Sequence, residues 1–225
     1  MILRRLLCLF FCFCLLPQPA WAKSTSKYVA LTFDDGPSGR YTARLLEGLS
    51  KRKVTATFFL CGYRMKEYPA LTEKIQAAGH EIGLHGYSHS SMKNMDPQAL
   101  ERELNDSLAL LPAGCKPVFL RPPGGATSKG VQDAARQAGL AVLGWSVDPR
   151  DWDSQDVPAI TAAVTSNIRP GDVILLHDMS DSSVDAALAI VDQLQKQGFC
   201  FVTAKELARL RGYPTEPGRI YKHFR

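Results

Sequence analysis

The chain has 225 residues, 45% of them hydrophobic and 22% charged. That is enough apolar material for one sizeable core, and it excludes a disordered or fibrous polypeptide. The formal charge of +5 is mild: it suits an anionic polymer and gives no sign of a nucleic-acid partner.

In chain order, Arg4 and Arg5 precede an apolar stretch from Leu6 to Leu16, followed by Pro17, Pro19 and Ala20-Trp21-Ala22. This is the pattern of a secretory signal peptide with an A-x-A cleavage site. Residues 1–22 are therefore expected to be removed, leaving 23–225 as one domain that starts at Lys23, outside the cytoplasm. The apolar run is shorter than the roughly 20 residues of a membrane span, so no lasting anchor is expected. Cys8, Cys12 and Cys14 follow Leu7, Phe11 and Phe13 rather than a small residue, which argues against a lipoprotein. Losing Arg4 and Arg5 lowers the formal charge from +5 to +3. Cys61, Cys115 and Cys200 remain, and an odd count cannot form a closed disulfide framework. Cys61 and Cys200 sit in or beside apolar strands and read as buried small hydrophobes.

Apolar runs predict strands at Tyr28–Phe33, Thr55–Leu60, Glu81–Leu84, Val118–Leu120, Leu140–Leu143, Val173–Leu176 and Phe199–Val202. Gly79, Gly139 and Gly198 stand directly before or one residue before three of them, as helix C′ residues do. Helix starts are marked by Asp96-Pro97, by Asp156 with Pro158, and by a capping box of Thr203 and Glu206. Alternating strands and helices without a linker argue for a single α/β domain with parallel strands.

In such folds the site lies at the carboxyl ends of the strands. Asp34-Asp35, His85, Arg121, the segment Trp145–Trp152 and His177 all follow strand ends, whereas chance would scatter them to both rims. Asp34-Asp35-Gly36-Pro37 is either a capping turn or a pair in which one acid binds a metal and its neighbour acts as a base. His85 and His89 are four apart, a spacing that puts both on one face of a helical turn. With Asp35 they would supply three ligands to Zn²⁺ and leave a position open. His80 begins its strand at the opposite rim and reads as structural. His223, in a tail with Arg219, Lys222 and Arg225, reads as solvated. Arg121-Pro122-Pro123-Gly124-Gly125 is either a turn with a surface arginine or a guanidinium that orients a carboxylate, with a loop amide beside it. Asp148, Asp151 and Trp152 offer acids and an aromatic wall.

Taken together and in this order, T-F-D-D-G, H-x-x-x-H, R-P-P-G-G, D-x-x-D-W and L-L-H resemble the polysaccharide deacetylase family, also called NodB-homology or carbohydrate esterase family 4. The resemblance runs from about Tyr28 to Leu210. It implies a distorted (β/α) barrel of seven or eight strands that removes acetyl groups from N- or O-acetylated sugars. It also implies a divalent metal, usually zinc, with cobalt or nickel as substitutes. Matched residue by residue, Asp34 is the general base, Asp35, His85 and His89 are the metal ligands, and Arg121 orients the base. Asp151 tunes His177, the general acid; Trp152 is a groove wall and Leu175 part of the acetyl-methyl pocket. Gly124 stands where the family usually has Tyr or Phe: the backbone N–H expected to meet the oxyanion is kept, but the aromatic wall is lost. Gly86 replaces a common Ser or Thr.

The expected partner is an acetylated polysaccharide or oligosaccharide, taken by a monomer, with peptidoglycan N-acetylglucosamine ahead of chitin oligomers. Acetylxylan esterase is the nearest alternative. A sugar-binding pseudoenzyme would have lost a ligand or the base, and a phosphoesterase usually needs ligands for two metals.

Overall fold

Residues 27–225 are described by the computed structural model; the expected signal segment and its cleavage site lie outside the described residues. The chain winds an all-parallel sheet around its first strand, β1 (Lys27–Asp34). On one side of β1 runs β6 (Val173–His177), in a register that pairs Asp34 with His177. On the other side lie β7 (Phe199–Val202) along the first half and β2 (Thr57–Leu60) along the second. The sheet continues through β3 (Glu81–Leu84), β4 (Phe119–Leu120), β5 (Ala141–Leu143) and β8 (Ile220–Tyr221).

Beyond β5 the chain returns to β6, where Val147 bridges Ile174 and accepts a 2.9 Å hydrogen bond from the Leu175 N–H. That contact ties the segment after β5 back to β6, and the parallel sheet curls as the expected distorted barrel does.

Period-two alternation explains what fills it. Val29, Leu31, Phe33, Phe58, Leu60, Ile82, Leu84, Val142, Ile174 and Leu176 join one buried cluster with the helices. Ala30, Phe59, Phe119, Ala141, Leu143 and Val173 join a second, with Leu207, Tyr221 and Phe224. Gly83 belongs to this second register because a Cβ there would stand 2.6 Å from the Phe59 ring. Continued upward, the same register carries Asp34, His85, Arg121, Leu175 and His177. Apolar residues therefore plug the foot of the barrel and polar ones fill its mouth.

The outer layer includes α1 (Gly39–Lys51), α4 (Pro97–Leu108), α5 (Lys129–Gln137) and α7 (Asp181–Lys196). Shorter helices are α2 (Gly62–Glu67), α3 (Pro69–Ala77), α6 (Val157–Thr165) and α8 (Ala204–Leu210). Gly79, Gly139 and Gly198 have φ of 80°, 73° and 81°, the left-handed C′ geometry expected after α3, α5 and α7. Asp96, Asp156 and Thr203 cap α4, α6 and α8. Only half of the Thr203 capping box forms, because the Glu206 side chain turns to Arg209.

Two expectations are corrected. The tail from Arg219 to Arg225 is solvated only in part: Arg219, Lys222 and Arg225 are exposed, but the segment supplies β8, buries Tyr221 and Phe224 at the barrel foot, and sets the Arg225 guanidinium 3.2 Å from Asp172. His223 is half-buried there and bridges Asp172. Cys200 is exposed, because Phe199 and Phe201 take the inward positions of β7 on either side of it. Cys61 is buried as expected, and Cys61, Cys115 and Cys200 are all free thiols.

Candidate active site

All named strand pairs are parallel, so their carboxyl ends share one rim. Asp34 ends β1 on the inner register. Its successor would ordinarily point to the other face, but Asp35 has φ of 74° and leaves the strand. Asp tolerates this left-handed conformation better than most residues. The result is that both carboxylates reach one imidazole: His85 Nε2 lies 3.8 Å from Asp34 Oδ2 and 3.2 Å from Asp35 Oδ1.

The His85 ring is fixed from behind. Its Nδ1–H donates to the Arg121 carbonyl at 2.7 Å, which leaves Nε2 as a lone pair facing the carboxylates. His89 Nε2 lies 2.9 Å from the same Asp35 Oδ1. The two histidines are not on a helical turn as their spacing suggested. They belong to an irregular loop with Gly86 at φ 76° and His89 at φ 60°, which sets the ring centroids 5.2 Å apart. Glu103 of α4 holds this loop, accepting from the N–H groups of Tyr87 (2.6 Å) and Ser88 (3.0 Å) and from the Ser88 hydroxyl (2.6 Å).

These ligand atoms suit a cation. One each from Asp35, His85 and His89 lie within 4.8 Å of one another, and Asp35 Oδ1 is buried with no protein hydrogen bond. Burial alone would raise the Asp35 pKa, but hydrogen bonds and charge from the two imidazoles in their protonated form outweigh it and hold the carboxyl well below the usual range. With those protons given up to solvent, the ionised oxygen and two nitrogen lone pairs would form a three-donor O/N set for a divalent ion.

Asp34 is held apart from that set. Arg121 is completely buried and donates to Asp34 Oδ1 at 2.6 Å and to the Thr32 hydroxyl at 2.8 Å from one nitrogen. Its other nitrogens donate to the carbonyls of Leu143 and Gly144, both at 2.9 Å, and its plane lies 3.9 Å from the Phe59 ring centroid. Guanidinium and carboxylate are thus locked in a single orientation.

Across the mouth, Asp151 is buried and grips His177 twice: Oδ1 accepts from the ring Nδ1–H at 2.9 Å and Oδ2 from the backbone N–H at 2.8 Å. Burial would lower the His177 pKa, but Asp151, with Asp34 and Asp35 behind it, lifts it to about 9.

Gly124, Leu175 and Trp152 line a cavity of about 420 Å³ together with the ligand set, Asp34 and His177. The Gly124 N–H makes no hydrogen bond among the described residues. A second lobe of about 310 Å³, lined also by Asp151, shares Asp35, Trp152 and His177 with the first, so Trp152, 58% exposed, borders both. Every residue singled out for this rim lies on it. His80 is at the other end, as expected: its Nδ1 accepts from the Ala56 N–H at 3.1 Å, and burial lowers its pKa to about 4.

Sequence reasoning missed Glu103, Thr32 and Asp178. Glu103 acts from a helix whose local sequence carries no site pattern, while Thr32 opens the T-F-D-D-G motif and its part shows only in the hydrogen bond it receives from Arg121. Asp178 directly follows His177, is fully buried, and takes a hydrogen bond from Thr42. It also accounts for Gly36, where a Cβ would lie 2.6 Å from its carboxylate.

Known proteins are similar to this chain over most of its length. The polysaccharide deacetylase family profile matches residues 22–143. A peptidoglycan-N-acetylglucosamine deacetylase of Bacillus cereus is 39% identical over 194 residues, covering 84% of this chain and 91% of the relative. A chitooligosaccharide deacetylase of Rhizobium leguminosarum bv. trifolii is 34% identical, covering 79% and 90%. Among solved structures, a family 4 acetyl xylan esterase from Clostridium thermocellum, in complex with a cobalt ion, superposes with a TM-score of 0.82 at 37% identity over 88% of this chain and 98% of that one. The chain belongs to the polysaccharide deacetylase family, enzymes that hydrolyse the N-acetyl amide bonds of sugars.

Proposed function

We propose that the protein is an exported, divalent-metal-dependent deacetylase of N-acetylated cell-wall sugar, with peptidoglycan N-acetylglucosamine as substrate. The observation that carries the mechanism is the division of labour between two adjacent aspartates: Asp35 faces two imidazoles, while Asp34 faces a buried guanidinium.

Asp35, His85 and His89 would hold the ion, with zinc favoured by the N/O donor set. When bound, such an ion polarises an acyl oxygen and makes water a better nucleophile near neutral pH. Asp34, oriented by Arg121, takes a proton from the attacking water. The free N–H of Gly124 donates to the developing oxyanion. Leu175 packs the acetyl methyl group and Trp152 walls the groove. His177, kept cationic by Asp151, gives its proton to the departing nitrogen, so acetate and a free amine leave.

The Bacillus cereus relative supports the peptidoglycan reading. Acetylxylan and chitin oligomers are the alternatives, each backed by a relative acting on that class. Acetate release from peptidoglycan, chitin oligomers and acetylxylan is the deciding experiment. Fastest release from peptidoglycan is expected; a clear preference for acetylxylan would overturn the substrate assignment.

Two further outcomes are expected. Exported protein should have an intact mass corresponding to a start at Lys23, and retention of residues 1–22 would refute cleavage. Glu103→Ala should weaken metal binding about 10–100-fold, the usual effect of removing a group that orients ligands. The measurement is competition with a chelator, and unchanged affinity would mean the loop holds its histidines without Glu103.

A further inference from the structure

The charges of the chain are sorted between the two ends of the barrel. Every named strand pair is parallel, so each segment that leads into a strand lies at the foot, opposite the mouth. From Lys196 to Arg225, the stretch that builds β7, α8 and the tail, there are seven lysines and arginines against Glu206 and Glu216. At the mouth the balance is reversed. Asp148, Asp151, Asp153 and Asp156 follow β5, and Asp178 and Asp181 follow β6, with Arg150 the single cation in residues 144–156 and 178–181.

Most arginines of the foot are matched: Arg52, Arg136, Arg209, Arg219 and Arg225 pair with Asp192, Asp133, Glu206, Glu216 and Asp172 in turn. Lys27, Lys53, Lys196 and Lys205 are exposed and form no ion pair among the described residues. Hydrogen bonds hold their segments together. Lys27 Nζ donates to the Gln197 carbonyl at 3.2 Å, and the Gln195 side chain donates to the Arg52 carbonyl at 3.2 Å. Glu81, the acid facing this group, has Oε2 already held by the Lys205 N–H (3.0 Å) and the Thr57 hydroxyl (2.9 Å), and burial raises its pKa. The helix dipole accounts for Lys196 in the last turn of α7, but a cation in the first turn of α8 opposes it. α8 turns Ala204, Leu207 and Ala208 into the inner cluster, so Lys205 and Arg209, four apart, face outward with Leu210, 36% exposed, beside them.

We propose that the foot is a docking surface for an anionic lipid bilayer, which Lys27, Lys53, Lys196 and Lys205 meet through lipid phosphates while the acidic mouth faces away. A planar surface suits these cations better than a thread-like polymer does. The cavity of about 320 Å³ on this end holds Lys205 and Arg209 but none of the other three lysines, so it does not join them into one track. Binding of this kind is reversible, because a few cations beside one exposed leucine fall far short of an anchor. The inference goes beyond the deacetylase reading and takes from it only export, the route by which the chain meets a lipid surface. Vesicle binding is measured without turnover, so the two readings fail separately.

The mature chain is sedimented with vesicles of equal parts phosphatidylglycerol and phosphatidylcholine, and with vesicles of phosphatidylcholine alone. Salt is set to about 0.1 M or about 1 M, where charges are felt over about 10 Å and about 3 Å. Wild type is expected to bind the acidic vesicles in low salt, to leave them in high salt and to ignore the neutral ones. A cation near an acidic surface contributes about fivefold to affinity, so Lys53→Gln, Lys196→Gln and Lys205→Gln together should weaken binding about 100-fold. A control removes as many charges elsewhere: Lys66→Gln, Lys93→Gln and Lys129→Gln, on the segments that follow β2, β3 and β4, should stay within about threefold of wild type. All six lysines are exposed, so both variants should melt with wild type. Equal binding to neutral vesicles, or a foot variant that binds as tightly as wild type, would overturn the inference. A control weakened as much as the foot variant would also overturn it, since net charge rather than this face would then be at work. Wild type that binds inorganic polyphosphate but no vesicle would assign the face to a phosphate polymer and overturn the bilayer.

Discussion

Asp34→Asn is expected to keep its divalent ion and lose about 10²–10⁴-fold in deacetylation rate, whereas Asp35→Asn loses ion and activity together. The geometry separates them. Asp35 Oδ1 is the atom that both imidazoles face, at 3.2 and 2.9 Å, and an amide oxygen without charge is a poor substitute there. Asp34 stands 3.8 Å from the nearer imidazole and spends its other oxygen on Arg121 at 2.6 Å. An amide in its place can still accept from Arg121 but cannot take a proton from water.

From sequence alone, the near-isosteric Asn is expected to leave folding untouched. The structure alters that. Arg121 is fully buried, and Asp34 is the carboxylate that pairs with it. Breaking a buried pair by removing one partner costs about 3–5 kcal/mol. The carbonyls of Leu143 and Gly144 and the Thr32 hydroxyl still receive the other donors, which places Asp34→Asn at or below the low end of that range. Metal content, thermal stability and rate should therefore be measured on both variants at a temperature well below either midpoint. A folded but metal-free Asp34→Asn, or a metallated and active Asp35→Asn, would refute the assignment.

What could be read in the sequence was local. A strand that ends in Asp-Asp-Gly-Pro, or in Leu-Leu-His, carries its own punctuation, and in an all-parallel sheet every such end reaches the same rim. Glycines at helix C′ positions were legible for the same reason, since φ near 80° is a demand on one residue. The rest depends on contacts between distant segments. Ile220–Tyr221 is two residues long among charges and has no period to detect, yet it pairs with β5 because the barrel foot is open there. The spacing of His85 and His89 suggested a helical turn, while the hydrogen bonds that shape the segment come from Glu103 on α4.

His177→Ala should fold, keep its ion and lose about 10²–10⁴-fold in rate on an N-acetylated sugar. The leaving nitrogen of an amide departs poorly without a proton, so removing the acid is felt most there. An aryl acetate releases a phenoxide that needs less help, and the same variant should be much less impaired on it. Asp151 supplies the second arm of the test. A general acid works in its protonated form, so the rate should hold while His177 is charged and fall as pH rises through the group's pKa, about 9. Asp151→Asn removes the charge that outweighs burial, and an amide has only one acceptor oxygen to serve both the ring and the backbone N–H. The alkaline limb of the rate profile should therefore move to lower pH, with the loss growing from neutral pH upward. Equal losses of His177→Ala on amide and aryl ester would assign the imidazole a positioning role. An alkaline limb that stays in place in Asp151→Asn would show that another group sets it.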